Sequence, residues 1–326
     1  MKKELIILTT VMLVLISLVG FKQKDTIIIY SSLEQFRGEE LQKQLDEEFP
    51  EIKTKLMYVP TGKVAAKVVL EGARTEADII VGLETSYMIK IQEHLADIEG
   101  LSRIPYEDHF MPELNDNKYV IWERQAGSFI VNKDVLKKYN IKTPKNYSDL
   151  LKPELKNLIA MSDPKSSGTG YFFMKNRMNV LGEQNGFSYF DNLSENVKQF
   201  TESGSGPIKL LNQGEVAVGL GLTFQAMNEI NKGKPFEIIF PPEGSPYSLT
   251  GTAMIKGREN NQNVQKIFDF IINDFIIYDK EYFSPEMIFD GQVNRIKNYP
   301  ENINYADMEG IQSIEDKERL LKLWKY

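Results

Sequence analysis

The chain has 326 residues, of which 42% are hydrophobic and 26% are charged, and its formal net charge is −7. This is the composition of a globular protein that is long enough for two domains of ordinary size. The negative charge argues against a nucleic-acid-binding protein, which would carry a basic patch. The absence of cysteine excludes disulfide bonds, thiolate metal ligands and a cysteine nucleophile.

Residues 1–24 have the pattern of an export signal. Lys2 and Lys3 precede an apolar run from Leu5 to Phe21, which predicts a secretory signal or a retained membrane anchor. The end of this run resembles the lipobox of bacterial lipoproteins, with Phe21 where the lipidated Cys would stand. We expect an exported protein that is either periplasmic or anchored to the outer face of the cytoplasmic membrane, and the sequence leaves cleavage of the segment open.

Strand and helix patterns alternate along the rest of the chain. Apolar runs predict strands at 25–30, 53–59, 77–82, 158–161, 216–221, 236–240 and 251–255, and amphipathic stretches predict helices at 33–49, 63–71, 171–200, 264–275 and 319–324. Two further strand runs, 119–122 and 128–131, flank the polar stretch 123–127, where we expect the chain to cross into a second lobe. The alternation predicts the α/β fold class, with helices layered on sheets.

Four of the predicted strands end in turns that carry hydroxyl groups. These turns contain Ser31 and Ser32, Thr61 and Gly62, the run from Ser166 to Gly170, and Thr223 with Gln225. The first turn of a helix has unpaired N–H groups and the positive end of the helix dipole, and Ser and Thr add further donors. Ligands of open α/β sheets lie outside the carboxyl ends of the strands. We therefore predict one cleft, bounded by both halves of the chain, that binds an anion.

Several segments from about residue 25 to the C-terminus resemble bacterial solute-binding proteins of ABC importers. The most specific is Asp163-Pro164-Lys165-Ser166-Ser167-Gly168-Thr169-Gly170-Tyr171, which is accompanied by matching segments at 27–32, 71–72, 77–82, 214–220, 242–244 and 252–257. Within that class the chain is similar to the receptors for ferric iron, thiamine, hexose phosphates and phosphonates.

This resemblance implies a two-lobed type II periplasmic-binding-protein fold with a central ligand cleft that closes by hinge motion. We expect lobe 1 to comprise 25–122 plus 247–297, and lobe 2 to comprise 123–246 plus 298–326. The implied partners are a small-molecule solute and an ABC permease in the membrane. We expect a monomer that binds no nucleic acid and has no cofactor.

The choice of solute depends on the donor groups. Ferric iron requires hard anionic oxygen ligands, but the region 219–227, where iron receptors of this family carry adjacent tyrosines, has none. His94 falls on a predicted helix and His109 in a loop, and neither is assigned to iron. A phosphate- or phosphonate-bearing solute fits better, and a cationic solute such as thiamine or a polyamine is a further alternative. The predicted ligand-binding residues are Ser31, Ser32, Thr61, Gly62, Lys63, Glu84, Arg124, Ser166, Ser167, Gly168, Thr169, Thr223, Gln225 and Tyr247.

The competing class of function is an extracytoplasmic enzyme. The two Ser- and Gly-rich loops at 166–170 and 203–206 lack the Gly-x-Ser-x-Gly pattern of a nucleophile elbow, and neither is visibly tied to a histidine–acid pair. We therefore expect a binding protein without catalytic residues. A receptor that signals rather than transports would share the same sequence features.

Overall fold

The structure is a computed structural model, and it describes residues 26–98, 106 and 117–326. The predicted export signal and His109 lie outside the described residues. Within the described ranges, none of the helices combines the length and the hydropathy that a membrane span requires.

The described residues form nine strands. In chain order these are β1 (Ile27–Ser31), β2 (Thr54–Tyr58), β3 (Ile79–Glu84), β4 (Val120–Asn132), β5 (Ile159–Ser162), β6 (Val197–Thr201), β7 (Val218–Leu222), β8 (Phe236–Ile239) and β9 (Tyr247–Met254). The buried strands β1, β3, β5 and β7 consist mostly of aliphatic residues, as expected for a sheet that is covered on both faces.

Helices follow most of these strands. They are α1 (Gln35–Glu48), α2 (Thr61–Glu71), α3 (Thr85–Lys90), α4 (Lys133–Tyr139), α5 (Gly168–Leu181), α6 (Glu183–Ser194), α7 (Gly206–Asn212), α8 (Thr223–Asn231), α9 (Gln262–Phe270), α10 (Ile276–Tyr282) and α11 (Ile314–Leu323), with a π-helical turn at Ile271–Phe275 between α9 and α10. The turn between each strand and the helix after it is short, so the first residues of the helices lie near the strand ends.

Strand β4 connects the two halves of the sheet. The strand order is β2-β1-β3-β9-β4-β7-β5-β6, and β8 also pairs with β4. Residues 120–126 of β4 pair with β9, whereas residues 127–132 pair with β7 and β8. The strands β1, β2, β3 and β9 thus belong to a first lobe and β5 to β8 to a second, and β4 runs through both.

Each lobe has its own buried core. The largest cluster surrounds Phe129, Phe172 and Phe173 of the second lobe, and it includes Trp324 just after α11. Two clusters cover the two faces of the first lobe's sheet, one around Trp122 and the other around Tyr30. The exact lobe boundaries predicted above stay a prediction.

Two details of the structure differ from the sequence prediction. The polar stretch 123–127 does not interrupt the strand, because β4 is continuous and its polar side chains find partners: Glu123 accepts a hydrogen bond from Arg37 at 2.7 Å and another from Thr250 at 2.8 Å. The predicted helical stretch 171–200 ends in strand β6. This strand lies at the edge of the sheet, where Lys198 and Gln199 remain exposed, so its sequence lacks the apolar run of a central strand.

Candidate functional site

A cleft of about 360 Å³ lies between the two lobes, at the ends of the strands. The first lobe contributes the turns after β1, β2 and β3, and the second lobe contributes the turns after β5 and β6. The residues that line it are Ser32, Leu33, Glu34, Gln35, Tyr58, Pro60, Thr61, Gly82, Glu84, Gln125, Ser166, Ser167, Gly168, Thr169, Glu202, Ser203, Gly204, Ser205 and Lys209.

The start of α5 forms the central part of the second-lobe wall. Ser167 stands at the N-cap position, but its side chain does not cap the helix. Ser167 and Thr169 are only 7% and 4% exposed, and both line the cleft. Their hydroxyls can donate hydrogen bonds to a polar solute there or accept them from it.

A second hydroxyl-rich turn of the same lobe lies beside α5. It comprises Ser203, Gly204 and Ser205, between β6 and α7. A Cβ atom on Gly204 would lie 2.4 Å from Thr169 Oγ1, so only glycine leaves room for that hydroxyl. This turn is not among the predicted ligand-binding residues. It repeats the strand–hydroxyl turn–helix pattern of the four predicted turns, but β6 lacks the apolar run from which a strand is predicted.

Glu84, at the end of β3, lines the first-lobe side of the cleft, and its carboxylate packs against Gly168 at the start of α5, where a Cβ would lie 2.5 Å from Glu84 Oε2. Its Oε2 accepts a hydrogen bond from Lys317 Nζ at 2.8 Å, and both side chains are almost completely buried. The Lys317 ammonium also lies 4.2 Å from the ring centroid of Tyr87 and 4.4 Å from that of Tyr171. Burial lowers the pKa of Lys317, and the charge of Glu84 opposes this shift. The Oε1 atom of Glu84 has no partner among the described residues, so it remains available as an acceptor.

Glu34 connects the cleft to a buried charge network. Its Oε2 accepts from Arg37 Nη1 at 2.9 Å, and Arg37 also donates to Glu123 and, through two nitrogens at 2.8 and 2.6 Å, to Asp279. Burial raises the pKa of Glu34, while the charge of Arg37 acts in the opposite direction. The Arg37 guanidinium also lies over the rings of Trp122 and Phe224. This network contacts both lobes beneath the cleft.

The structure brings seven of the predicted residues together and leaves seven outside the lining. The seven in the cleft are Ser32, Thr61, Glu84, Ser166, Ser167, Gly168 and Thr169. The residues that sequence reasoning missed include Glu34, Gln35, Tyr58, Gln125, Glu202, Ser203, Gly204, Ser205 and Lys209. Most of these follow the ends of β1, β2 and β6. Apart from Ser203, Gly204 and Ser205, whose turn repeats the predicted pattern, nothing in their local sequence distinguishes them from ordinary surface or turn residues.

Three of the predicted residues that lie outside the lining belong to the turns after β1 and β2. Ser31 is buried, and its hydroxyl accepts from the backbone N–H of Leu33 at 3.2 Å. Gly62 lies against Tyr87, at a point where Lys165 of the second lobe also approaches. Lys63 is exposed on α2. These residues shape or flank the turns without lining the cleft.

The other four residues outside the lining lie elsewhere. Arg124 stacks on the rings of Tyr305 and Tyr247, at 4.2 and 5.3 Å from the ring centroids. Thr223 is fully buried, and its hydroxyl donates to Ser128 Oγ at 3.2 Å. Gln225 lines a neighbouring groove. The turn after β7 therefore does not reach the cleft, because its polar groups are used inside the second lobe or face another surface.

No group of three or more potential metal-ligating side chains occurs within the described part of the chain. Tyr58 is the one phenol in the lining of the cleft as described, and that lining has no histidine. His94 lies in a 3₁₀ turn beside Glu93. The donor set of the cleft consists of hydroxyl, amide, carboxylate and ammonium groups.

Comparison with known proteins agrees with this architecture. The chain is 28% identical over 262 residues to an uncharacterized protein of Haemophilus influenzae, covering 77% of this chain and 73% of that protein. The fold matches the periplasmic binding protein AfuA of Actinobacillus pleuropneumoniae, solved with fructose-6-phosphate, with a TM-score of 0.80, 25% identity and coverage of 92% of this chain and 98% of AfuA. It also matches the apo ferric ion-binding protein A of Pasteurella haemolytica, with a TM-score of 0.72, 16% identity and coverage of 92% and 96%.

These likenesses confirm the predicted α/β, two-lobed type II periplasmic-binding-protein fold. The 16% identity to the ferric ion-binding protein shows a shared fold alone. A family model described as "Bacterial extracellular solute-binding protein" matches residues 76–279, which is more than half of the chain. The chain therefore belongs to the family of bacterial extracellular solute-binding proteins.

Proposed function

We propose that this protein captures a small phosphorylated solute that carries hydroxyl groups, such as a hexose phosphate, and delivers it to an ABC permease. The observation that carries the proposal is the pair of hydroxyl-bearing residues Ser167 and Thr169, which line a cleft between two lobes at the start of α5. The first turn of this 14-residue helix adds backbone N–H donors and the positive end of the helix dipole. Together these groups suit a phosphate.

The other wall suits the rest of such a solute. Glu84 Oε1 has no partner among the described residues, and Glu34 and Gln125 also line the cleft. Carboxylates and amides accept hydrogen bonds from sugar hydroxyls or from an amine. A volume of about 360 Å³ is in the lower part of the range for small-molecule sites. The fructose-6-phosphate bound to AfuA, the structural relative at 25% identity, supports the same class of solute.

Two alternatives are less well supported. Ferric iron would need several phenolate or carboxylate ligands around one point, and the described lining offers a single tyrosine without histidine. A cation such as thiamine is favoured by three carboxylates in the lining, Glu34, Glu84 and Glu202. However, two of these already have cationic partners, since Glu84 pairs with Lys317 and Glu34 shares Arg37 with Glu123 and Asp279.

The test is a binding panel on the purified protein by isothermal titration calorimetry and thermal shift. Glucose 6-phosphate, fructose 6-phosphate, aminoethylphosphonate, inorganic phosphate, ferric citrate and thiamine are compared. A ligand that binds only the native state raises the melting temperature. We expect the sugar phosphates to bind most tightly. Binding of ferric citrate or thiamine alone would overturn the proposal.

Two variants and one control locate the site. Ser167→Ala and Thr169→Val each remove one donor, and hydrogen bonds to charged groups contribute roughly 1.5–3 kcal/mol. We therefore expect affinity for the sugar phosphate to fall by about 10- to 100-fold. Ser188→Ala, which removes an exposed hydroxyl on α6, serves as the matched control and should leave affinity unchanged. Wild-type affinity in Thr169→Val would contradict the assignment of this wall.

A further inference from the structure

A second groove of about 550 Å³ adjoins the cleft, and we call it the side groove. It shares Glu34, Gln35, Ser205 and Lys209 with the cleft. Its other walls come from both lobes, from α1 and the end of α10 on one side and from α7 and α8 on the other. The two spaces are therefore connected compartments between the same two lobes.

An aromatic surface forms the first-lobe wall of the side groove. Phe36 on α1 is 38% exposed, although it is a large apolar side chain. Its ring packs edge-to-face on Phe283, with 5.3 Å between the centroids, and Tyr282 lines the same wall. Exposed aromatic rings of this kind pack well against the apolar faces of flat, rigid ligands, while their surroundings remain polar.

Planar amides form the facing wall, on α7 and α8. Gln225 is 5% exposed, and both its Nε2 and its Oε1 are buried without a hydrogen-bond partner. A buried amide that lacks both partners carries a desolvation cost. Asn212 and Asn228 line the same side. The side groove thus presents amide donors and acceptors opposite an aromatic surface.

The side groove carries groups of both charges. Its lining contains the carboxylates Glu34, Glu39 and Glu229 and the ammonium groups of Lys209 and Lys232, and Lys232 pairs with Glu229 at 2.7 Å. Aromatic rings, amides and carboxylates together suit an uncharged unit with many hydroxyl groups.

On the basis of the proposed function, we propose that the solute has two parts: a phosphorylated sugar unit in the cleft and a second, uncharged sugar unit in the side groove. The preferred solutes are disaccharide phosphates rather than hexose phosphates. Phe36 and Phe283 stack on the second ring, and the Gln225 amide turns to bind its hydroxyls. Gln225 therefore belongs to the site, as the sequence suggested, but through the second compartment.

The test compares dissociation constants by calorimetry for glucose 6-phosphate, trehalose 6-phosphate and maltose 6′-phosphate. We expect at least one disaccharide phosphate to bind tenfold or more tightly than glucose 6-phosphate. Phe36→Ala and Gln225→Ala should each reduce this ratio to about two or less. The matched controls are Tyr139→Ala, an exposed aromatic at the end of α4, and Gln184→Ala, an exposed amide on α6, and both should keep the wild-type ratio.

Failure of the two-part solute and failure of the proposed function give different binding results. If glucose 6-phosphate binds but neither disaccharide phosphate binds more tightly, the two-part solute is refuted and the proposed function stands. The inference is also refuted if Phe36→Ala and Gln225→Ala both keep the wild-type ratio. If none of these three sugar phosphates binds and fructose 6-phosphate does not bind either, the proposed function itself is refuted.

Discussion

Lys317 and Glu84 form a buried ion pair that joins the C-terminal helix to the wall of the cleft. The residues are 233 positions apart in the chain, yet Nζ and Oε2 lie 2.8 Å from each other. Lys317 also donates to Ser86 Oγ at 3.2 Å. The pair holds one oxygen of Glu84 and leaves the other facing the cleft, so the C-terminal helix determines the position of a potential solute acceptor.

We predict that Lys317→Met destabilises the protein strongly. Removal of one partner leaves the Glu84 carboxylate buried without a counter-charge, which typically costs about 3–5 kcal/mol. Urea denaturation should show this loss in the free energy of unfolding. Lys322→Met, on the exposed side of the same helix, should change stability by less than about 0.5 kcal/mol. The double variant Glu84→Gln with Lys317→Met should recover part of the loss, and no recovery would contradict the pairing argument.

Two glycine substitutions should separate stability from binding. A Cβ on Gly170 would lie 2.3 Å from the carbonyl oxygen of Ser162 and 2.7 Å from the backbone nitrogen of Pro164, neither of which can move independently. Gly170→Ala should therefore destabilise the fold by about 1–3 kcal/mol or more. On Gly204, the Cβ would meet side-chain atoms and no backbone: Thr169 Oγ1 at 2.4 Å, Thr169 Cβ at 3.2 Å and Ser167 Oγ at 3.6 Å.

Gly204→Ala should accordingly leave the melting temperature nearly unchanged but weaken sugar phosphate binding about tenfold, because it displaces the Thr169 hydroxyl. Melting curves and calorimetry on both variants check this contrast. Equal losses of stability in the two variants would show that the Gly204 turn is under the same backbone constraint as Gly170.

Lys280 should make stability depend on pH above neutrality. Burial lowers its pKa to about 8, although Glu286, Glu123 and Asp279 raise it. Between pH 8 and the unfolded-state pKa of 10.5 the unfolded chain binds more protons than the native state. The contribution of Lys280 to the free energy of unfolding therefore rises with pH through this window.

The lowered pKa of Lys280 sets how much the free energy of unfolding changes with pH. One pKa unit corresponds to about 1.4 kcal/mol, so the contribution of Lys280 should increase by an amount of the order of 3 kcal/mol between pH 7 and pH 10.5. The measurement is urea denaturation of the wild type and of Lys280→Met across this range, and the difference between the two proteins isolates the residue. A difference that does not change with pH would show that the pKa of Lys280 is not lowered in the native state.

Arg124→Met should affect stability rather than solute binding. The guanidinium lies over the rings of Tyr247 and Tyr305, which themselves pack edge-to-face, and a desolvated cation–π contact contributes about 2 kcal/mol. We expect a loss of that order in the free energy of unfolding and a change in sugar phosphate affinity of no more than twofold. A tenfold loss of affinity would instead support the sequence-based prediction that Arg124 is a ligand-binding residue.

The sequence predicted the fold well because its signals are local. The apolar runs of β1, β3 and β7 and the turns after them are visible in a few adjacent residues, and helix α5 begins within the most specific motif, Asp163 to Tyr171. Strand β6 was not predicted, because a strand at the edge of a sheet can leave polar side chains exposed to water. The continuity of β4 was not predicted, because its polar residues are stabilised by partners from distant parts of the chain.

The sequence by itself determined the alternating α/β layers and the hydroxyl-bearing turns, because strand propensity, helix periodicity and turn chemistry are properties of neighbouring residues. Only the tertiary structure decided which of those turns share a cleft. The pairing order of the strands placed the turns after β1, β2, β5 and β6 together and directed Thr223 and Gln225 elsewhere. It also brought Lys317 to Glu84. Contacts of this kind depend on packing between distant segments, for which a single sequence carries no local signal.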